Sequence, residues 1–385
     1  MPVELSIVMP CLNESETLEI CIRKAQLYLD RTGISAEIVI GDNGSTDGSQ
    51  DIARRLGARL IEVPTRGYGA ALFGAIKNAN GKYCIMADSD DSYDFSDLDH
   101  FVNELRKGTD LVMGNRFRGG IKPGAMPWKN RYIGNPLLTG IGLLLFKCPA
   151  HDFHCGLRGF SMEAFARMDL RTTGMEFASE MVIKATLKKM NIVEVPTTLR
   201  PDGRSRPPHL RPYRDGWRHL RFMLLFSPNW LFLFPGLVLM STGGIIGGML
   251  LTGPIYLSEI RLGIHTLIYC AAAIEIGFQA ILFSTLSRAY ATQEGLLPTN
   301  RISRFERLFT LERGILLGFT LNVIGLWLLY RAFSIWQTAH FGPLVVDEIS
   351  GLVIISSLSI SLGFTLILSS FYLSTIRLGV RQTHL

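Results

Sequence analysis

One uncharged stretch constrains this chain more than any other feature: from Phe222 to Ser258 there is no Asp, Glu, Lys or Arg. A helix needs roughly 20 apolar residues to cross the hydrocarbon of a bilayer, so a single run of this kind already implies a membrane-embedded part. Three more follow: Gly263 to Ser287, interrupted only by Glu275, then Gly314 to Tyr330, then Ile349 to Ile376. Four such stretches in succession exceed what one soluble core absorbs. The mean hydropathy of +0.24 is high because apolar residues gather toward this end. The spacing predicts four transmembrane helices, over about 230–252, 264–287, 314–336 and 349–374. Glu275, alone in its helix, is expensive in lipid and is expected to face the bundle interior or a polar cavity.

Charge decides the orientation. Between the second and third stretches lie Arg288, Arg301, Arg304, Arg307 and Arg313, whereas the first connection has one basic residue, Arg261. Basic loops stay on the cytoplasmic side, which puts the N-terminal half and the Arg377 and Arg381 tail there too. The N-terminus lacks the basic flank and long apolar core of a secretory signal. Six cysteines without a CxxC pair are expected to be reduced thiols. The expected location is the cell (inner) membrane.

The N-terminal half reads as α/β. Short β-rich runs at Leu5–Met9, Glu37–Gly41, Arg59–Val63, Tyr83–Ala87 and Leu111–Gly114 alternate with helical patterns at Ser15–Leu29, Ser49–Leu56 and Ala70–Ala79. In such sheets the loops after the strands meet at one edge, where ligands bind. The expected division is a cytoplasmic domain over residues 1–208, a basic amphipathic juxtamembrane segment over 209–229 and a transmembrane domain over 230–385.

Those strand ends carry the polar motifs. Pro10-Cys-Leu-Asn13-Glu14 follows the first strand and Asp42-Asn-Gly-Ser-Thr-Asp47-Gly the second. Either alone reads equally as an ordinary capped turn, but together they converge on one crevice, with Asp42 an acceptor for a base or ribose. Gly67, in Thr65-Arg-Gly-Tyr-Gly-Ala70, precedes a helix and offers backbone donors to a phosphate or ribose; the missing GxGxxG argues against a nicotinamide enzyme. Asp88-Ser-Asp90-Asp91 gathers three carboxylates where an apolar strand runs out. They read either as a solvated acidic loop with caps or as hard oxygen ligands for Mg²⁺ or Mn²⁺ on a diphosphate. Asp90 is then the leading metal ligand and Asp88 stands nearer the sugar.

Further on, Arg116 and Arg118 offer forks for phosphate oxygens, and Asp152 could position an acceptor. Cys148, His151, His154 and Cys155 admit a zinc reading, against which stand the adjacency of His154 and Cys155 and the alternative of reduced thiols. Glu176 and Glu180 share a helix face, with Glu180 directed either into the site or to the surface. In Arg200-Pro-Asp-Gly203-Arg204-Ser-Arg206 the arginines suit an anion. The run with Arg211, Arg214, Arg218 and Arg221, interleaved with Tyr213, Trp217 and Phe222, suits a headgroup layer or simply obeys the charge rule. No nucleic acid is called for.

Taken together, PxxNE, DNGSTDG, DSDD and the late RPDGRSR resemble the family 2 glycosyltransferases of GT-A fold, and within them the polyprenyl-phosphate hexose synthases of the dolichol-phosphate mannose synthase type, over about residues 3–225. The resemblance implies that Pro10, Asn13, Glu14 and Asp42 hold the nucleotide, that Asp88 and Asp90 are the DxD with its Mg²⁺ or Mn²⁺, and that Arg200 is the late phosphate-binding arginine. Arg206 stands where the family has lysine, Asn43 follows Asp42 where a second Asp is usual, and Leu12 replaces an aromatic. The expected reaction is transfer of a hexose, with inversion, from UDP-glucose or GDP-mannose to a polyprenyl phosphate, with Asp90, Asp152 and Arg200 as catalytic candidates and Arg116, Arg118, Arg200 and Arg206 on the acceptor phosphate. Two alternatives remain: a processive polysaccharide synthase, whose QxxRW is absent, and a non-catalytic scaffold or lipid transporter, which the intact DSDD disfavours. A homo-oligomer is left open.

Overall fold

Leu5–Cys11 (β1) is buried at every residue, as expected of a strand covered on both faces, and it is an interior strand, third in order, of a seven-stranded sheet. The computed structural model describes residues 2–205, 212–295, 297, 310–343 and 346–377, so Arg206, Arg211, Arg301, Arg304, Arg307 and Arg381 lie outside the described residues. The chain divides into two units, Met1–Met223 and Leu224–Leu385.

In the first unit β1 is followed by α1 (Leu18–Thr32), β2 (Ala36–Asp42), α2 (Ser49–Arg55), β3 (Arg59–Glu62), α3 (Tyr68–Lys77), β4 (Tyr83–Met86), α4 (Asp99–Arg106), β5 (Leu111–Asn115), α5 (Arg116–Gly119), α6 (Asn135–Phe146), β6 (Arg158–Ser161), α7 (Met162–Met168), α8 (Phe177–Leu187), β7 (Ile192–Pro196) and α9 (Pro212–Leu225). The strand order is β3-β2-β1-β4-β6-β5-β7. β1 pairs in parallel with β2 and β4, while β6 runs antiparallel between β4 and β5, with Gly159 opposite both Ile85 and Val112. Because β1, β2 and β4 run the same way, the loops after them share one edge.

α1 buries Leu18, Cys21, Ile22, Ala25 and Tyr28, one helical face, and stops at Gly33 with φ of 64°. It begins later than the sequence suggests. The Ser15 amide is held by Asp47 (2.9 Å), and the Thr17 hydroxyl donates to the Ser89 carbonyl (2.7 Å) instead of capping the helix.

The second unit consists of α10 (Phe234–Leu251), a short hairpin of β8 (Ile255–Leu257) and β9 (Ile260–Leu262), then α11 (Ile264–Gln293), α12 (Leu311–Thr338) and α13 (Val346–Arg377). Four helical spans, Asn229–Leu251, Ile264–Gln293, Leu311–Thr338 and Ile349–Arg377, are long and apolar enough to cross a membrane. α10 packs along α11, α12 along α13, and α11 also meets α13. Glycines set the spacing: a Cβ on Gly236 would meet the Gly277 carbonyl oxygen at 2.7 Å. Large apolar side chains such as Val238, Ile245, Phe319, Trp327, Phe364 and Leu368 point outward, the dress of a lipid-facing bundle. Glu275 turns inward to accept a hydrogen bond from Ser361 (2.5 Å). Arg288 donates to Asn229 (3.0 Å).

Candidate active site

The loops after β1 and β2 are sewn together by side chains that share backbone amides. Asn13, at φ of 58°, accepts from the Thr46 amide (2.8 Å), while its own amide donates to Ser45 Oγ (2.9 Å). The Glu14 amide donates to Ser49 Oγ (2.9 Å). Asp42 is buried and spends its oxygens on its own turn, accepting from the amides of Gly44 and Ser45 (3.0 and 3.1 Å) and from Gln50 Nε2 (2.7 Å). Asp47 accepts from the Ser15 amide (2.9 Å) and from the Ser49 amide and hydroxyl; burial raises its carboxyl, but these donors outweigh it and leave it at about 2.

Asn43 ties this turn to the next loop. Its Nδ2 donates to the carbonyls of Val63 and Thr65 (2.9 and 2.7 Å), and its Oδ1 accepts from the Gly67 amide (2.7 Å). Gly67 has φ of 139°, and a Cβ there would run into the Thr173 carbonyl. That carbonyl also accepts from the Ala70 amide (3.0 Å). Glu180, buried on α8, holds the 171–172 turn through both backbone amides and the Thr172 hydroxyl (2.7 Å), and pairs with buried Lys184 (2.8 Å). Of the two orientations the sequence allowed for Glu180, it takes neither: it is an internal brace for the loop behind Gly67.

After β4 come Asp88 and Asp90. Tyr68 hydrogen-bonds Asp88, and a Cβ on Gly156 would stand 2.7 Å from Asp88 Oδ2. Burial and then the charge of Asp90 push the Asp88 carboxyl up to about 6, against the Tyr68 hydrogen bond and the Arg204 charge. Asp90 Oδ1 accepts from Ser92 Oγ (2.6 Å) and the Ser92 amide (3.1 Å). Asp91, at φ of 63°, faces away to Lys24 (2.6 Å). The β4 loop is fixed to β1 by Ser89 Oγ donating to the Pro10 carbonyl (2.6 Å).

A strap formed by residues 199–205 lies along this acidic loop. The amides of Arg200 and Gly203 donate to the carbonyls of Ser92 and Asp90 (both 2.9 Å), and Ser205 donates through amide and hydroxyl to Glu16 (both 2.7 Å). Arg204 reaches Glu14 Oε1 (3.1 Å), Asp90 Oδ2 (2.9 Å) and Asp202 Oδ2 (3.0 Å). Asn13, Glu14, Glu16, Thr46, Asp47 and Arg204 line a polar cleft of about 350 Å³ at this edge. Pro10, Asn13, Glu14, Asp42, Gly67, Asp88 and Asp90 therefore belong to one stretch of sheet edge, whereas the side chains of Arg116, Arg118 and Arg200 go elsewhere. Arg200 pairs with Asp94 (2.7 Å) at the surface. Arg118 has an exposed side chain and donates its amide to Asn115 Oδ1 (2.9 Å).

Arg116 and Asp152, expected as a phosphate fork and an acceptor-positioning group, satisfy each other. Asp152, fully buried, accepts from Arg116 Nε (2.8 Å), Nη2 (2.7 Å) and the Arg116 amide (2.9 Å). Glu194, which sequence reasoning passed over, accepts the amides of His151 and Asp152 (2.6 and 2.8 Å) and Asn115 Nδ2 (3.1 Å). Arg158, another arginine fork that the sequence offers to phosphate oxygens, is instead fully buried and gathers the carbonyls of Cys155 (2.8 Å), Phe153 (3.0 Å) and Ala178. No periodicity marks either residue, since Glu194 meets Asn115 through the pairing of β7 with β5, and Arg158 opens the antiparallel β6.

Among the described residues no three His, Cys, Asp or Glu side chains come together as a metal cage, and all six cysteines are free and buried. A zinc site therefore finds no support in the Cys148–Cys155 segment. A divalent ion at Asp88 and Asp90 is a different case. Mg²⁺ keeps several waters and takes one or two carboxylates together with substrate phosphate. Two carboxylates leave one loop side by side, and Asp90 Oδ2 already holds a cationic guanidinium (2.9 Å), so the donor set fits such an ion.

The mixed sheet with its acidic strand-end loop, joined in one chain to a bundle of apolar helices, defines a membrane glycosyltransferase of GT-A fold. Residues 6–168 match the family described as glycosyl transferase family 2, and residues 285–377 match the glycosyltransferase family 2 C-terminal transmembrane region. The low-salt glycan biosynthesis hexosyltransferase Agl6 of Haloferax volcanii is 35% identical over 97% of this chain and 89% of its own. The dolichyl-phosphate hexose transferase of the same organism is 31% identical over 55% of this chain and 89% of its own. Glucosyl-3-phosphoglycerate synthase of Mycobacterium tuberculosis, solved with Mn²⁺, UDP and glucosyl-3-phosphoglycerate, is similar at a TM-score of 0.45 and 23% identity, over 58% of this chain and 77% of its own. The chain belongs to glycosyltransferase family 2.

Proposed function

We propose that the protein transfers a hexose, with inversion, from a nucleotide-diphosphate sugar to a polyprenyl phosphate at the cytoplasmic face of a membrane. The observation that carries this reading is the carboxylate-lined sheet edge at Asp88 and Asp90 in a chain that also holds four helices long and apolar enough to cross a membrane. The relative named a dolichyl-phosphate hexose transferase supports the acceptor class, and the one named a hexosyltransferase supports the transferred group. Residues 1–208 are assigned to catalysis, 209–229 to the membrane surface and 230–385 to the bilayer, with both termini cytoplasmic on the strength of the basic loop.

The acceptor explains why so little base chemistry is needed. A phosphate monoester has a second pKa near 6, so at pH 7 its oxygen is largely ionised before it meets the enzyme. The protein's task is to align two anions and screen them. The loops carrying Pro10, Asn13, Glu14, Asp42 and Gly67 are assigned to the nucleotide. Asp88 and Asp90 would hold Mg²⁺ or Mn²⁺, which when bound supplies positive charge to the departing diphosphate. Arg118, Arg200 and Arg206 are assigned to the acceptor phosphate, with the Arg116–Asp152 pair fixing the loop from which Arg118 projects.

Membranes containing the protein, incubated with labelled UDP-glucose or GDP-mannose and a polyprenyl phosphate, should yield label in the organic extract, and Asp90→Asn should abolish it with the fold intact. Label that appears only in a water-soluble polymer, or transfer that survives Asp90→Asn, refutes the assignment.

A further inference from the structure

Transfer chemistry alone gives no reason for a cation already seated among the acidic groups of this edge. Arg204 is such a cation. Its side chain is 9% exposed, and its two terminal nitrogens span Glu14, Asp90 and Asp202. Asp90 Oδ1 is engaged by the Ser92 amide and hydroxyl, which leaves Oδ2 as the oxygen open to a cation, and Oδ2 is the atom Arg204 contacts. Arg204 Nε is buried and makes no hydrogen bond among the described residues. The fork is thus held by its two ends alone. The strap keeps its own anchors, the Gly203 amide on the Asp90 carbonyl and Ser205 on Glu16, so the guanidinium can leave Asp90 without the chain leaving the site.

Resting on the donor-site reading above, we propose that Arg204 is the resident counter-ion of the Glu14, Asp90 and Asp202 carboxylates. It competes with the divalent ion for Asp90 Oδ2 and is drawn off by the diphosphate of the donor. A lone divalent ion must displace a fork that is already desolvated and bonded to three carboxylates. A diphosphate offers that fork a bidentate anionic partner in exchange, which guanidinium geometry suits. Metal and nucleotide therefore bind as a pair, each raising the other's affinity by the same factor, as linkage requires. Arg204 acts here as a positioning residue: its displacement reports that a diphosphate, and not merely a cation, has arrived.

The test is Mn²⁺ binding by the full chain in detergent, followed through the electron paramagnetic resonance signal of free Mn²⁺, alone and with UDP or GDP. Arg204→Gln removes the competitor, so Mn²⁺ alone should bind about tenfold more tightly, equivalent to ~1.4 kcal/mol, and the enhancement by nucleotide should shrink by a similar factor. Arg204→Lys keeps the charge but cannot span three carboxylates, and should fall between; it also serves if the glutamine variant does not fold. Equal or weaker Mn²⁺ affinity in both variants overturns the proposal. Mn²⁺ affinity that Asp90→Asn leaves unchanged overturns the metal seat itself, a separate outcome from an unaltered Arg204 series.

Discussion

Asp152→Ala distinguishes a structural pair from a group that touches substrate. Three hydrogen bonds converge on the fully buried Asp152 carboxylate, two from the Arg116 guanidinium and one from its amide. Removing it strands a charge and a backbone donor, and breaking a buried pair in this way costs about 3–5 kcal/mol. The double variant Arg116→Met, Asp152→Ala leaves only the Arg116 amide unpaired, which costs about 1–3 kcal/mol. The double variant should therefore be more stable than Asp152→Ala alone by ~2 kcal/mol. For a unit of this size, where 1 kcal/mol moves a melting midpoint by about 2–4 °C, Asp152→Ala should lower the midpoint of the N-terminal unit by ~6–20 °C. The double variant should regain much of that loss. Circular dichroism melts in detergent, with the transition of the N-terminal unit followed separately, provide the measurement. A melt within ~2 °C of the parent, with transfer lost, would refute the reasoning and return Asp152 to direct contact with the acceptor.

Three further outcomes are expected. Gly67→Ala forces a Cβ toward the Thr173 carbonyl at φ of 139° and should destabilise by about 1–3 kcal/mol, read as a lowered midpoint; an unchanged melt would mean that the 171–174 loop simply moves aside. Burial lowers the pKa of His154 and of His219, whose rings lie 4.7 Å apart, with Arg116 and Arg158 opposing the charge on His154, Arg158 opposing it on His219, and Asp215 and Glu176 favouring it on His219. Below about pH 6.5 the unfolded chain binds protons that the native state refuses, so stability should fall on acidification by up to ~1.4 kcal/mol per pH unit for each histidine, and His154→Phe should flatten the slope of midpoint against pH between 7.5 and 5. Glu275→Leu should weaken the packing of α11 on α13 by ~1 kcal/mol while Glu275→Gln preserves it, measured as resistance to unfolding in mixed detergent; equal loss in both would leave the Ser361 bond without weight.

Much of this architecture was legible because it is written locally. Buried strands such as Leu5–Cys11 and charge-free spans declare themselves by composition, and the polar residues at the ends of β1, β2 and β4 converge because parallel strands have no other way to end. What was not legible depends on pairing across the chain. β6 is four residues long and lies between a loop and a helix, so no periodicity announces it, yet its antiparallel insertion brings Arg158 among the carbonyls it collects. The meetings of Arg116 with Asp152 and of Arg204 with Asp90, 36 and 114 residues apart, likewise join segments that no local pattern connects. The start of α1 shifted because Thr17 found a long-range partner better than the local cap.

Asn43 shows how one such tie restricts what a position accepts. Its amide nitrogen serves two carbonyls while its oxygen serves the Gly67 amide, so a carboxylate in its place would set lone pairs against lone pairs at Val63 and Thr65. An aspartate at this position would keep the Gly67 amide but repel both carbonyls. Asn43 thereby works as a keystone, holding the 63–67 segment at the sheet edge to one shape.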